Sequence, residues 1–165
     1  IAQDRPYLGI CLGYQLLFES SEESPGVSGL GVLPGIVRRF PAGNPQHPAG
    51  NPQDSAGALK VPHMGWNTLD IRQPADRLYA GLPGSPGVYF VHSYFPVPAD
   101  GSIVTATCDY AGPFAASVTR GALSAVQFHP EKSQRTGLAI LRNFVTAIQN
   151  SKSEIQNRDA SAACH

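Results

Sequence analysis

Charge is scarce in this chain of 165 residues. Twelve basic and twelve acidic side chains make up 15% of it and cancel to a formal net charge of zero. Such a balance offers no basic field for nucleic acid or an anionic membrane surface, and no acidic field for a strongly basic partner. Apolar runs are short, none approaching the length of a bilayer span, so no membrane segment is expected. Cysteine is rare too. Cys11, Cys108 and Cys164 are odd in number and lack CxxC spacing, which argues against a disulfide framework or a zinc knuckle and suits a reducing, cytoplasmic setting. No metal or organic cofactor is expected.

What remains is ample for one domain. Apolar residues form 42% of the chain, and 17 glycines and 15 prolines predict many tight turns. Residues 6–10 read as a short buried strand, and Tyr14 to Phe18 as the start of a helix with Leu16 and Leu17 facing a core. "SSEESPG" (20–26) ends that helix, and "GVLPGIVRRF" is strand-like. "PAGNPQ" (41–46) recurs at 48–53, so 41–58 is expected to be a mobile, duplicated loop without catalytic duty. "LKVPHMGWNTLDI" (59–71) reads as strand-like flanks around a turn, "GVYFVHSYFPVP" (87–98) as one buried strand, and "SIVTATCDY" (102–110) as another. "FAASVTRGALSAVQFH" (114–129) predicts a hairpin with Arg120-Gly121 at its tip. Residues 136–149 have helical spacing, with Leu138, Leu141, Phe144 or Val145, and Ile148 on one side, and 151–165 read as a frayed, disordered tail. The sum is an α/β layered domain over 1–150.

Two stretches carry chemistry. In "PYLGICLGYQLLFE" a strand hands over to a helix through Gly9-Ile10-Cys11-Leu12-Gly13. This pattern describes a nucleophile elbow, with glycines where larger side chains would collide and a strained central residue pushed out over the sheet. Cys11 would lie at a helix N-terminus, where dipole and free N–H groups favour a thiolate, and the Leu12 N–H would point at a developing oxyanion. In "AVQFHPEKS" (125–133), Pro130 breaks the ladder after a strand, so His129 and Glu131 can lie side by side. Alone, the Gly-x-Cys-x-Gly would more often hold a structural cysteine, and His129 would more often be a satisfied strand-end histidine. Together, Cys11, His129 and Glu131 supply a nucleophile, its base and the carboxylate that orients the base.

With both motifs, the chain resembles the class I (triad) glutamine amidotransferases from about Pro6 to Ile148. "VPHMGWN" (61–67), "YFVHSYF" (89–95) and "FESSEESPGVSGLGVLPG" (18–35) resemble, within that family, the glutaminase subunits of imidazole glycerol phosphate synthase. The resemblance implies a flavodoxin-like layered mixed sheet flanked by helices. It also implies a segment ahead of Ile1 that holds the first strands and a second oxyanion donor. It implies glutamine hydrolysis through a Cys11 thioester, with His129 as base and then acid, Glu131 orienting it, and ammonia passed to a (β/α)8-barrel cyclase. Leu12, Gln15, Glu23, Ser93 and Tyr94 match positions that hold glutamine, and Trp66, Tyr89 and Lys132 match the cyclase-docking face. Trp66 reads equally well as a core aromatic. His63 and His92 are expected to be structural, Cys108 a core residue. The alternatives are the glutaminase component of another amidotransferase, or a catalytically silent fragment of one.

Overall fold

The computed structural model describes residues 5–41 and 60–162, with backbone alone from 151 onward. The duplicated loop expected at 41–58 lies, beyond Pro41, outside the described residues. The main sheet has five strands in the order β1-β10-β9-β8-β5. In chain order these are β1 (Tyr7–Ile10), β5 (Asp70–Ile71), β8 (Val104–Asp109), β9 (Pro113–Arg120) and β10 (Leu123–Val126). β1 runs parallel to β10, with Gly9 opposite Ala125 and Ile10 opposite Val126, while the other pairs are antiparallel. β9 and β10 form the expected hairpin, with Gly121 at φ 57° in its turn.

All four residues of β10 are buried, as in a strand covered on both faces. Leu123 and Ala125 join Tyr14, Leu17, Phe18 and Leu33 in one core, and Val126 joins Leu78, Phe90, Phe114, Phe128 and Ile140 in another. A second sheet has the order β2-β3-β7, and the third is a ribbon of β4 and β6. These strands are β2 (Ser20–Ser21), β3 (Gly35–Arg39), β4 (His63–Thr68), β6 (Gly87–His92) and β7 (Tyr94–Pro98). The helices are α1 (Leu12–Gln15) and α2 (Gln134–Ala162).

Several expectations are corrected. The predicted helix from Tyr14 to Phe18 is instead the four-residue α1, because residues 30–33 take the carbonyls that would continue it. Leu30 N–H donates to Leu16 O, Gly31 N–H to Phe18 O and Leu33 N–H to Leu17 O. Leu16 is therefore 48% exposed rather than in the core, whereas Leu17 is fully buried. The segment 61–67 holds a strand where a turn was expected. Cross-strand pairs of His63 with His92 and Trp66 with Tyr89 override the turn signals of Gly65 and Asn67. Conversely, 87–98 is two strands. His92 Nδ1 bonds to the carbonyl of Tyr94 at 2.8 Å, a local side-chain contact that ends one ladder where β7 begins another with β3.

α2 buries Gly137 and Ile140, half-buries Phe144 and leaves Leu138 and Val145 outward, 61% and 50% exposed. It also runs to Ala162, past the Gln149 end and into the expected frayed tail. The Lys, Glu, Gln, Arg and Ala residues there are good helix formers that need no apolar stripe.

Candidate active site

The elbow is built on β1. A Cβ at Gly9 would lie 2.7 Å from Gly13 O, so only glycine permits the chain to double back there. Gly13 differs from expectation, since a Cβ would meet Tyr7 Oη at an ordinary 3.6 Å. Cys11 has φ 49° and ψ −105°, a strained conformation for a non-glycine residue, and its N–H donates to Val126 O at 2.9 Å. The strain directs its side chain off the C-terminal end of β1, beside the end of β10 in a parallel pair.

The thiol departs from one expectation. Burial raises its pKa, with Glu131 and Glu23 adding to the rise, against hydrogen bonds from the Leu12 N–H and Gln127 that lower it. A four-residue α1 contributes too little dipole to overcome burial. The resting sulfur is therefore a neutral thiol that needs a base.

The candidate base, His129, follows the neighbouring strand. His129 N–H donates to Tyr89 O at 2.9 Å, and Ser133 Oγ donates to His129 O at 2.7 Å while accepting from Tyr89 N–H at 2.9 Å. The main chain of His129 is thus held against β6. Pro130–Lys132 form a 3-10 turn that brings Glu131 Oε1 to 2.6 Å from His129 Nδ1. A carboxylate can only accept, so Nδ1 donates to Glu131, and in the neutral form of such a ring Nε2 is an acceptor. Nε2 is buried and has no partner among the described residues. A buried acceptor left open is what a general base requires.

Next to Cys11 in the chain, Leu12 joins Gln15, Leu16, Ser21, Glu23 and Val27 in lining a cleft of about 130 Å³. Glu22 and Glu23 diverge: Glu22 accepts from Arg39 N–H at 2.8 Å, whereas Glu23 borders the cleft. Gln15 points elsewhere than expected for a group free to bind a ligand. Its Nε2 donates to Tyr94 O at 3.0 Å and to Gln127 Oε1 at 3.1 Å. The carbonyls of Ser93 and Tyr94 are already engaged, by Phe40 N–H and by Gln15 with His92. Trp66, Tyr89 and Lys132 cluster on the surface: the Trp66 and Tyr89 rings lie 6.1 Å apart, and Lys132 Nζ is 5.9 Å from the Tyr89 ring. Trp66 is 52% exposed, so it is not a core aromatic.

His63 and His92 are indeed internal. His63 Nδ1 and His92 Nε2 are 3.1 Å apart, and burial lowers each pKa to about 4. Two residues of the site were missed in the sequence. Ser133 is fully buried and ties His129 to β6, and Gln127 is fully buried with Nε2 at 3.6 Å from Cys11 Sγ. A glutamine interrupting the apolar run 125–128 was the signal for the latter. Cys11 and Cys108 are free thiols, and burial pushes Cys108 up to about 12. Among the described residues no helix is long and apolar enough to cross a membrane.

The chain is similar to known proteins. The chain is 52% identical over 144 residues to imidazole glycerol phosphate synthase subunit HisH of Methylococcus capsulatus, covering 87% of this chain and 63% of that one. It is 47% identical over 147 residues to the chloroplastic imidazole glycerol phosphate synthase hisHF of Arabidopsis thaliana, covering 88% of this chain and 22% of the other. The chain thus spans less than two thirds of the length of these relatives. The Trypanosoma brucei CTPS glutaminase domain with bound acivicin has a similar fold, with TM-score 0.54 at 17% identity, covering 88% of this chain and 62% of that one. The profile of the family described as glutamine amidotransferase class-I matches residues 1–148, and the chain belongs to that family.

Proposed function

We propose that the protein containing this chain is the glutaminase subunit of imidazole glycerol phosphate synthase, acting in the cytoplasm with residues 1–150 as its amidotransferase domain. The observation that carries the reading is the open Nε2 of His129, held by Glu131 at the end of the strand that pairs with the Cys11 strand. Glutamine enters the cleft with its ammonium toward Glu23 and its carboxylate end toward Ser93 and Tyr94. His129 Nε2 takes the Cys11 proton as sulfur attacks the side-chain amide carbon. The oxyanion that forms accepts from the Leu12 N–H. His129 then protonates the departing nitrogen, the C–N bond breaks, and ammonia leaves a γ-glutamyl thioester. Water, deprotonated by His129, attacks the thioester; glutamate departs and the thiol regains its proton.

The partner in this reading is a (β/α)8-barrel cyclase docked on Trp66, Tyr89 and Lys132, taking ammonia without release to bulk water. Sequence identity near one half to relatives named as synthase subunits supports it, as does an exposed tryptophan packed on a tyrosine beside a cation. The test is glutamate release by the full-length protein with and without the cyclase. Expected is one glutamate per cyclised product, with release accelerated by the partner. Glutamate release unaffected by any cyclase would contradict the reading.

A further inference from the structure

The polar contacts behind Cys11 form a chain whose direction is fixed at one end. A main-chain carbonyl can only accept, so the Gln15 group facing Tyr94 O at 3.0 Å is its amide NH2. The same NH2 reaches Gln127 at 3.1 Å, which makes the facing atom of Gln127 its carbonyl oxygen. The other end of the Gln127 amide, necessarily its NH2, then points at Cys11 Sγ from 3.6 Å. Gln127 is fully buried, with its main-chain N–H bonded to Ala116 O at 2.8 Å, so it has little freedom to leave.

We propose that Gln127 is a further catalytic residue, donating a hydrogen bond to the sulfur as it becomes thiolate, and that Gln15 is a positioning residue that fixes the Gln127 amide with its NH2 toward Cys11. The proposal rests on Cys11 being the nucleophile and adds a donor to it. Its necessity follows from the double duty of Leu12. Hydrogen bonding by the Leu12 N–H, like that by Gln127, favours the thiolate. Once a substrate carbonyl claims that N–H as an oxyanion donor, Gln127 is the side-chain donor still on the sulfur. Without Gln15, the Gln127 amide could turn over and set its oxygen, with a lone pair, against a developing negative charge. The charged groups whose fields reach the sulfur are Glu131 beyond β10 and Glu23 beyond β2, and these stay in place in every variant below.

The test reads sulfur reactivity without turnover: the pH profile of Cys11 alkylation by iodoacetamide in the full-length protein, followed on the Cys11 peptide by mass spectrometry. Gln127→Leu keeps the bulk and removes the donor. It is expected to move the profile up by about one pH unit and slow alkylation at neutral pH about tenfold. Gln15→Leu is expected to shift the profile in the same direction by a smaller amount. Gln127→Met, which also lacks the donor, covers the case in which Gln127→Leu fails to fold. A wild-type profile in the folded Gln127 variants would overturn the proposal, and a wild-type profile in Gln15→Leu alone would remove the positioning role. Because no turnover is measured, either failure leaves the nucleophile reading intact, while glutaminase activity surviving in Cys11→Ser would remove that reading and not this profile.

Discussion

Cys11→Ser in the full-length protein is expected to lower glutamine-dependent synthesis at least about 10³-fold while leaving synthesis from added ammonium salts near the wild-type rate. The argument is local. Serine keeps nearly the same volume and the elbow's strained backbone, so the fold and the docking surface persist. What is lost is the nucleophile. A hydroxyl ionises far less readily than a thiol, and the site is already unhelpful to a negative charge, because burial with Glu131 and Glu23 opposes ionisation even of Cys11. His129 would have to draw a proton from a much weaker acid with the same geometry. Ammonia supplied from solution bypasses that step, so the partner's chemistry should continue. Parallel assays with glutamine and with ammonium at saturating partner decide it. Loss of both activities would assign Cys11 to folding or docking.

Gly137→Ala should do the greatest damage without touching the chemistry directly. A Cβ there would lie 1.8 Å from Pro130 O and 2.6 Å from Pro130 C, both backbone atoms of the turn that carries Glu131. Neither partner is a flexible side-chain end, so α2 and the turn must separate by more than an ångström. Overpacking of this kind costs about 3 kcal/mol or more. The same shift carries Glu131 away from His129 Nδ1, now 2.6 Å distant, and misplacement on that scale costs roughly 10²-fold in rate. Gly84→Ala is the control: no atom lies within 4 Å of its added Cβ, and a change within about 0.5 kcal/mol is expected. Denaturant unfolding midpoints and kcat/KM for the two variants check both parts. Equal stability of the two would show that the turn yields easily and does not position Glu131.

The strained backbone at Cys11 and the pairing of His129 with Glu131 were readable before any coordinates because each is a local pattern. The glycines around Cys11 and the proline between His129 and Glu131 each state a backbone geometry within a few residues. The hairpin of β9 and β10 was readable for the same reason. What escaped the sequence depends on distant partners. α1 ends early because Leu30 and Leu33, far along the chain, claim the carbonyls of Leu16 and Leu17. The break at Ser93 is invisible in a run of aromatic and β-branched residues, since it arises from the His92 side chain and from two different partner strands. The α2 face was misjudged because Gly137, silent in any hydrophobic pattern, is the point of closest approach. Gln15 and Gln127 are separated by more than a hundred positions, and their contact becomes evident only when β1 and β10 lie side by side.

The most direct examination of the account is covalent. A diazoketone analogue of glutamine, incubated with the full-length protein and its cyclase, should modify Cys11 far faster than Cys108 or Cys164, and excess glutamine should protect it. Equal modification of all three thiols, or rapid modification of Cys11 that glutamine does not slow, would contradict a glutamine site built on Cys11, His129 and Glu131.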